Sequence, residues 1–305
     1  MKMLTRREII GGLAVVALGS TVRASSAPVP RKLFAMDTAM LRQFPALLAR
    51  EDLAAIAKLG YSGVGPAVLD SAGWEHFSER VVPWCRELQL EIPAVYSILN
   101  ITKSSNRLAG NLDDHLDSLA SARSILWVQV IDENLPPSSQ SADSQIVEGL
   151  LRVSEMVRKR GGLVSIYPHF GSLIQTIPDA LRIVTKVSQP NVGLTFNLCH
   201  FLRGEPGASL ADTLRLASHH LQIATLCGAD AHGDDWKQLI QPLDQGSYDL
   251  SQLLALFKQI EFNGPIGLQG YDVARNFHIE PQENLSRSMA AWRRLADVER
   301  QVVSP

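Results

Sequence analysis

From residue 31 onward, short apolar runs alternate with longer stretches in which apolar residues recur every three or four positions. The short runs read as strands at Lys32–Thr38, Ser62–Val68, Glu91–Leu99, Ile125–Ile131, Gly162–His169, Asn191–His200, Leu221–Asp230 and Gly264–Tyr271. They have strand length and are bounded by Gly, Pro or Asn. Several are apolar at nearly every position, as in a parallel sheet covered on both faces. Between them, Leu53, Ile56 and Leu59 share one helical face ahead of Gly60, and Ile146, Leu150, Val153 and Val157 share another ahead of Gly161-Gly162. Leu253, Phe257 and Ile260 repeat the pattern, as do Leu285, Met289, Trp292 and Leu295. Ser209 and Asp212 form a capping pair before Leu214.

Strands alternating with helices over about 270 residues predict an α/β fold, a single-domain (β/α)8 TIM barrel spanning residues 31–300. A doubly wound open sheet would carry a Gly-rich phosphate loop after an early strand, and no such motif is present. Pro136–Ser144 reads as one long loop at the rim of the barrel.

The first 27 residues have a different character. Arg6-Arg7 precede an apolar run from Gly11 to Gly19 and then small residues, the order of a twin-arginine-type export signal. Residues 1–27 are therefore expected to be removed from a periplasmic or otherwise exported protein, with no stable membrane insertion afterwards. An uncut anchor is the alternative. Cys85, Cys199 and Cys227 are too few for a disulfide framework, although Cys199 and Cys227 fall near neighbouring strand ends where one bridge is conceivable. The net charge of -2 gives no electrostatic reason to expect nucleic acid as a partner.

In a TIM barrel the chemistry sits at the carboxyl ends of the strands. Those ends carry Tyr167, His169, Asn197, His200, Asp230 and Gln269, with His232 and Trp236 just beyond. His169, His200 and Asp230 are candidates for moving a proton, because imidazole titrates near neutral pH. Tyr167, Asn197, Gln269 and His232 are candidates for binding sugar hydroxyls, and Trp236 for an apolar platform. Imidazole and carboxylate in the set His169, His200, Asp230 and His232 would also suit zinc, but no tight ligand spacing supports that reading.

Tyr167-Pro168-His169, Pro178-Asp179-Ala180-Leu181, Pro190–Leu194, Phe196–His200, Gly228-Ala229-Asp230 and Ile240–Leu243 together resemble the sugar phosphate isomerase/epimerase superfamily, with its xylose isomerase-like barrel. The closest likeness is to an exported bacterial subgroup poor in metal ligands. The resemblance implies a divalent metal held by acidic and histidine ligands on strands five to eight. Those positions fall here on Tyr167, Asn197, Cys227 and Gln269, none of them the family ligand. A hard cation needs anionic oxygens to offset lost hydration, so no cofactor is carried over and a divalent metal stays an open minor alternative. Two functions follow: an isomerase, epimerase or lyase acting on a sugar, keto-sugar or polyol by acid–base proton transfer, or a non-catalytic periplasmic carbohydrate-binding or accessory protein. An endonuclease would need a multi-metal carboxylate site and a basic groove, and the sequence offers neither.

Overall fold

The computed structural model describes residues 31–102, 107, 108, 110 and 112–301. The expected export signal lies outside them. Eight parallel strands make the barrel: β1 Leu33–Met36, β2 Gly63–Gly65, β3 Ala94–Asn100, β4 Ile125–Ile131, β5 Val164–Ile166, β6 Val192–Asn197, β7 Leu221–Leu226 and β8 Ile266–Leu268. Neighbours follow chain order from β3 round to β8, and β8 then pairs with β1 and β1 with β2. Between β2 and β3 the ring is drawn together by Val64 N donating to Glu91 O at 3.0 Å and Val68 N to Tyr96 O at 2.8 Å. A short strand, Arg107–Leu108, pairs antiparallel with the end of β3.

The expected helices form where the apolar stripes place them. Arg50–Leu59 buries Leu53 and Ile56, and Gly60 ends it at φ +90°, a conformation that costs glycine least. Asp143–Arg158, Leu250–Gln259 and Pro281–Gln301 carry the other stripes. Ser209 caps Leu210–Ala217 by accepting from Asp212 N at 3.3 Å. Helices and the outer face of the sheet share the main apolar core.

Inside the ring, Phe34 packs with Met36, Ala94, Trp127, Tyr167 and Ile223. Its ring occupies space that two glycines leave open. A Cβ at Gly65 would lie 2.8 Å from Phe34 Cε2, and one at Gly267 would lie 2.4 Å from Phe34 Cζ. The barrel interior is thus packed around the Phe34 ring.

Several expectations are corrected. Most strands are shorter than the apolar runs. Asp37 and Thr38 begin the helical turn Asp37–Met40, and Leu198–His200 begin the helix Leu198–Gly204, because the Asn197 side chain accepts from His200 N and caps it. The Pro136–Ser144 segment is not one loop: Gln140–Ala142 forms a 3-10 turn, and Ser144 lies in the helix that starts at Asp143. No disulfide joins Cys199 to Cys227. All three cysteines are free and buried, and Cys227 Sγ donates to Leu239 O at 3.2 Å. Among the described residues no helix is long and apolar enough to cross a membrane.

Candidate functional site

The carboxyl ends of β5 and β6 bring four of the expected residues together. After β5, Tyr167 N still donates to Val128 O at 2.8 Å, so the sheet holds the residue although the strand has ended. The chain then turns, with His169 N donating to Ile174 O and Ser172 N to His169 O, both at 2.9 Å. After β6 the Asn197 cap fixes the first turn of the following helix and so the position of His200. The imidazoles of His169 and His200 lie 4.0 Å apart, centroid to centroid. Tyr167 stands edge-on to both, at 5.5 and 5.4 Å, and its hydroxyl accepts from Asn197 Nδ2 at 2.6 Å. Trp236 meets His200 and Phe170 edge-on at 5.4 and 5.7 Å and keeps 36% of its surface exposed.

The backbone N–H and C=O of Phe170 assign the tautomers of both rings. His169 Nδ1–H donates to Phe170 O at 2.9 Å, which leaves Nε2 with a lone pair. Phe170 N donates to His200 Nδ1 at 3.4 Å, which puts the His200 proton on Nε2. Burial pushes His169 down to about 4. Burial and then the neighbouring His169 push His200 well below the usual imidazole range. The expectation of imidazoles titrating near neutral pH is therefore corrected: both rings are neutral there, one presenting an N–H and the other a lone pair.

The remaining expected residues lie elsewhere on the rim. Gln269 belongs to the β8–β1 side, where its Oε1 accepts from Thr38 Oγ1 at 2.5 Å and from Gly270 N at 3.1 Å. Asp230 accepts from Ser247 N at 3.1 Å and so pins the loop beyond β7. His232 is exposed and, among the described residues, its ring is not in the aromatic cluster.

Sequence reasoning missed a second group of polar residues. The Tyr96 hydroxyl donates to Gln129 Oε1, and Gln129 Nε2 donates to Ser172 Oγ at 2.5 Å, which links β3 and β4 to the turn that carries His169. The Tyr96 ring meets that of Tyr167 edge-on at 5.7 Å. Asp37, 3% exposed, accepts from Ala67 N at 2.6 Å. Burial pushes its carboxyl up to about 7 against the opposing pull of the Ala67 and Thr38 backbone N–H groups. Applying the strand-end rule to β1 would have found Asp37, whereas Tyr96 and Gln129 lie inside β3 and β4, where that rule does not reach.

The positions that would hold the family's metal do not suit a hard cation. Burial pushes the Tyr167 phenol well above its ordinary range, so it stays protonated. Asn197 and Gln269 are uncharged and already bonded, and the Cys227 thiol is bonded to backbone. Among the described residues no group of three His, Cys, Asp or Glu side chains is placed to hold a metal ion.

A cavity of about 1160 Å3 opens at the opposite end of the barrel beside Lys32, Glu91, Arg123 and Asn263. The carboxyl mouth holds the neutral imidazole pair and the raised carboxyl, and groups with perturbed titration mark candidate functional sites.

Residues 53–296 match the family described as xylose isomerase-like TIM barrel. The comparison with curated proteins found no match. Among solved structures, a D-allulose 3-epimerase from Methylomonas sp. superposes with TM-score 0.66 at 15% identity, over 88% of this chain and 99% of that one. A 3-keto-D-glucoside 4-epimerase from E. coli does so with TM-score 0.64 at 16% identity, over 87% and 99%. The IOLI protein with a bound zinc atom gives 0.67 at 15% identity, over 88% and 98%. At these identities the likeness establishes the fold. With four fifths of its length inside the matched segment, the chain belongs to the xylose isomerase-like TIM barrel family.

Proposed function

We propose that the protein acts on a sugar or keto-sugar by moving a proton at carbon next to a carbonyl, as an isomerase or epimerase, with its own side chains in place of the family's metal ligands. The observation that carries this is the His169–His200 pair. Two neutral imidazoles with opposite tautomers, held by the backbone of one residue at the barrel mouth, present a donor and an acceptor side by side. A neutral N–H can polarise a substrate carbonyl without being a strong acid. Trp236 beside His200 offers an apolar face to a sugar ring. Two structural neighbours, a D-allulose 3-epimerase and a 3-keto-D-glucoside 4-epimerase, are named for sugar substrates.

The test is deuterium uptake. Incubated in D2O with a panel of aldoses, ketoses and keto-sugars, the protein should place deuterium at carbon in at least one of them, and His200→Ala should abolish it. No uptake by the wild type with any member of the panel counts against catalysis.

A second reading, a sugar-binding protein without turnover, is favoured by one observation: Tyr167 with Asn197, and Thr38 with Gln269, already satisfy each other. Thermal stabilisation by a sugar that never exchanges would select it. For either reading we propose export through the Arg6-Arg7 signal, and replacing both arginines with lysine should hold a reporter fusion in the cytoplasm.

A further inference from the structure

We propose that Asp37 is a catalytic acid–base carboxyl of this site, working from the β1 side of the mouth opposite the His169–His200 pair; the assignment rests on the sugar isomerase or epimerase reading. Asp37 follows β1 directly, at the end of the barrel where the imidazoles lie. It is 3% exposed, and among the described residues no Lys, Arg or His lies within ion-pair distance of it. Buried carboxylates are nearly always paired with a cation, so an unpaired one needs a reason. Its hydrogen bond does not supply that reason. Oδ2 accepts from Ala67 N, a bond that an asparagine oxygen would make equally well. What asparagine lacks is a proton to exchange.

The surroundings support the role. The titratable group facing Asp37 is the Tyr96 phenol, which the carboxylate and above all burial push up, so it stays a neutral donor. From β2 comes the Ala67 backbone, and from β8 the uncharged Thr38–Gln269 pair. The long helix Pro281–Gln301 packs on the same turn with Asn284, Leu285 and Ser288 buried, and its Arg287 is bonded to Asp244. Rings connect the two sides of the mouth: Tyr96 meets Tyr167, and Tyr167 meets His200.

In the reaction, the Asp37 carboxylate takes the proton from carbon next to the carbonyl. The C–H pair becomes the C=C bond of an enediol, and the carbonyl π pair moves to oxygen, which the His200 Nε2–H steadies. Return of the proton to the neighbouring carbon, with a hydroxyl proton passing between the two oxygens, completes an aldose–ketose isomerisation. No oxidant or reductant is required.

Two measurements test the assignment. Infrared spectroscopy of the ligand-free protein should show a protonated carboxyl band that disappears between roughly pH 6 and 8 and is absent from Asp37→Asn. In the D2O assay, Asp37→Asn should cut exchange about 100-fold while keeping the wild-type circular dichroism. If that variant does not fold, Asp37→Ala with added formate should regain exchange that it lacks without formate. Lack of a titrating band overturns the proposal. So does exchange that His200→Ala abolishes and Asp37→Asn leaves intact, an outcome that spares the isomerase reading. Wild-type exchange with no sugar overturns that reading and this assignment with it.

Discussion

His169 and His200 are held by the two backbone groups of one residue: the carbonyl of Phe170 accepts from the first ring and its N–H donates to the second. The two rings therefore cannot both carry the same tautomer without breaking one of these bonds. Their environment also keeps them uncharged, which has a consequence for stability.

The folded pKa of His169 lies at about 4, below its ordinary 6.5, so the native state binds this proton less readily than the unfolded chain does. The resulting stability is complete above pH 6.5 and is lost as pH falls toward 4. His169→Asn should remove up to about 3 kcal/mol of that acid sensitivity, an upper figure because part of the ring reaches the surface. Urea titrations of both proteins at neutral and at acid pH measure it.

Asp37 works in the opposite sense. Its carboxyl is raised from 3.8 to about 7, so the native state holds the proton more tightly, and stability is lost as pH rises through that window. Asp37→Asn should be the more stable protein above pH 7, by about 4 kcal/mol at most, and should level the alkaline limb of the stability curve. Equal slopes for wild type and variant would show that the carboxyl is ionised throughout.

Gly267→Ala would drive a methyl into the Phe34 ring, with the nearest approach at 2.4 Å. Overpacking of this kind costs about 1–3 kcal/mol. Pairing it with Phe34→Leu should recover part of the loss, so a double-mutant cycle in denaturant will give a non-additive result.

Trp236 is half of an exposed aromatic rim beside His200. Trp236→Ala should weaken binding of a sugar that stabilises the wild type by about three- to tenfold and leave the melting temperature of the free protein nearly unchanged. Calorimetric titration distinguishes this from an unaltered affinity, which would remove Trp236 from the site.

The barrel was legible because both-faces-apolar strands and amphipathic helices alternate so regularly. Ile125–Ile131 was read to the residue. Strand ends were less legible, because a side chain that caps a helix, as Asn197 does, stops a strand that apolarity alone would continue. For the site, the proximity of Tyr167, His169, Asn197, His200 and Trp236 followed from their strand-end positions. Asp230 shows why position is insufficient: its carboxylate serves a loop N–H that lies 17 residues further along the chain. Protonation was not legible at all, since the histidines and Asp37 owe their shifts to burial, which belongs to the assembled fold.

The Phe34 ring, wedged where Gly65 and Gly267 leave it room, acts as a bulkhead along the barrel axis. The wide basin beside Lys32 and Arg123 ends against Phe34, which packs with Tyr167 of the histidine-bearing mouth. A molecule lodged in the basin would rest on Phe34 and be felt at the imidazoles through the packing of Phe34 with Tyr167.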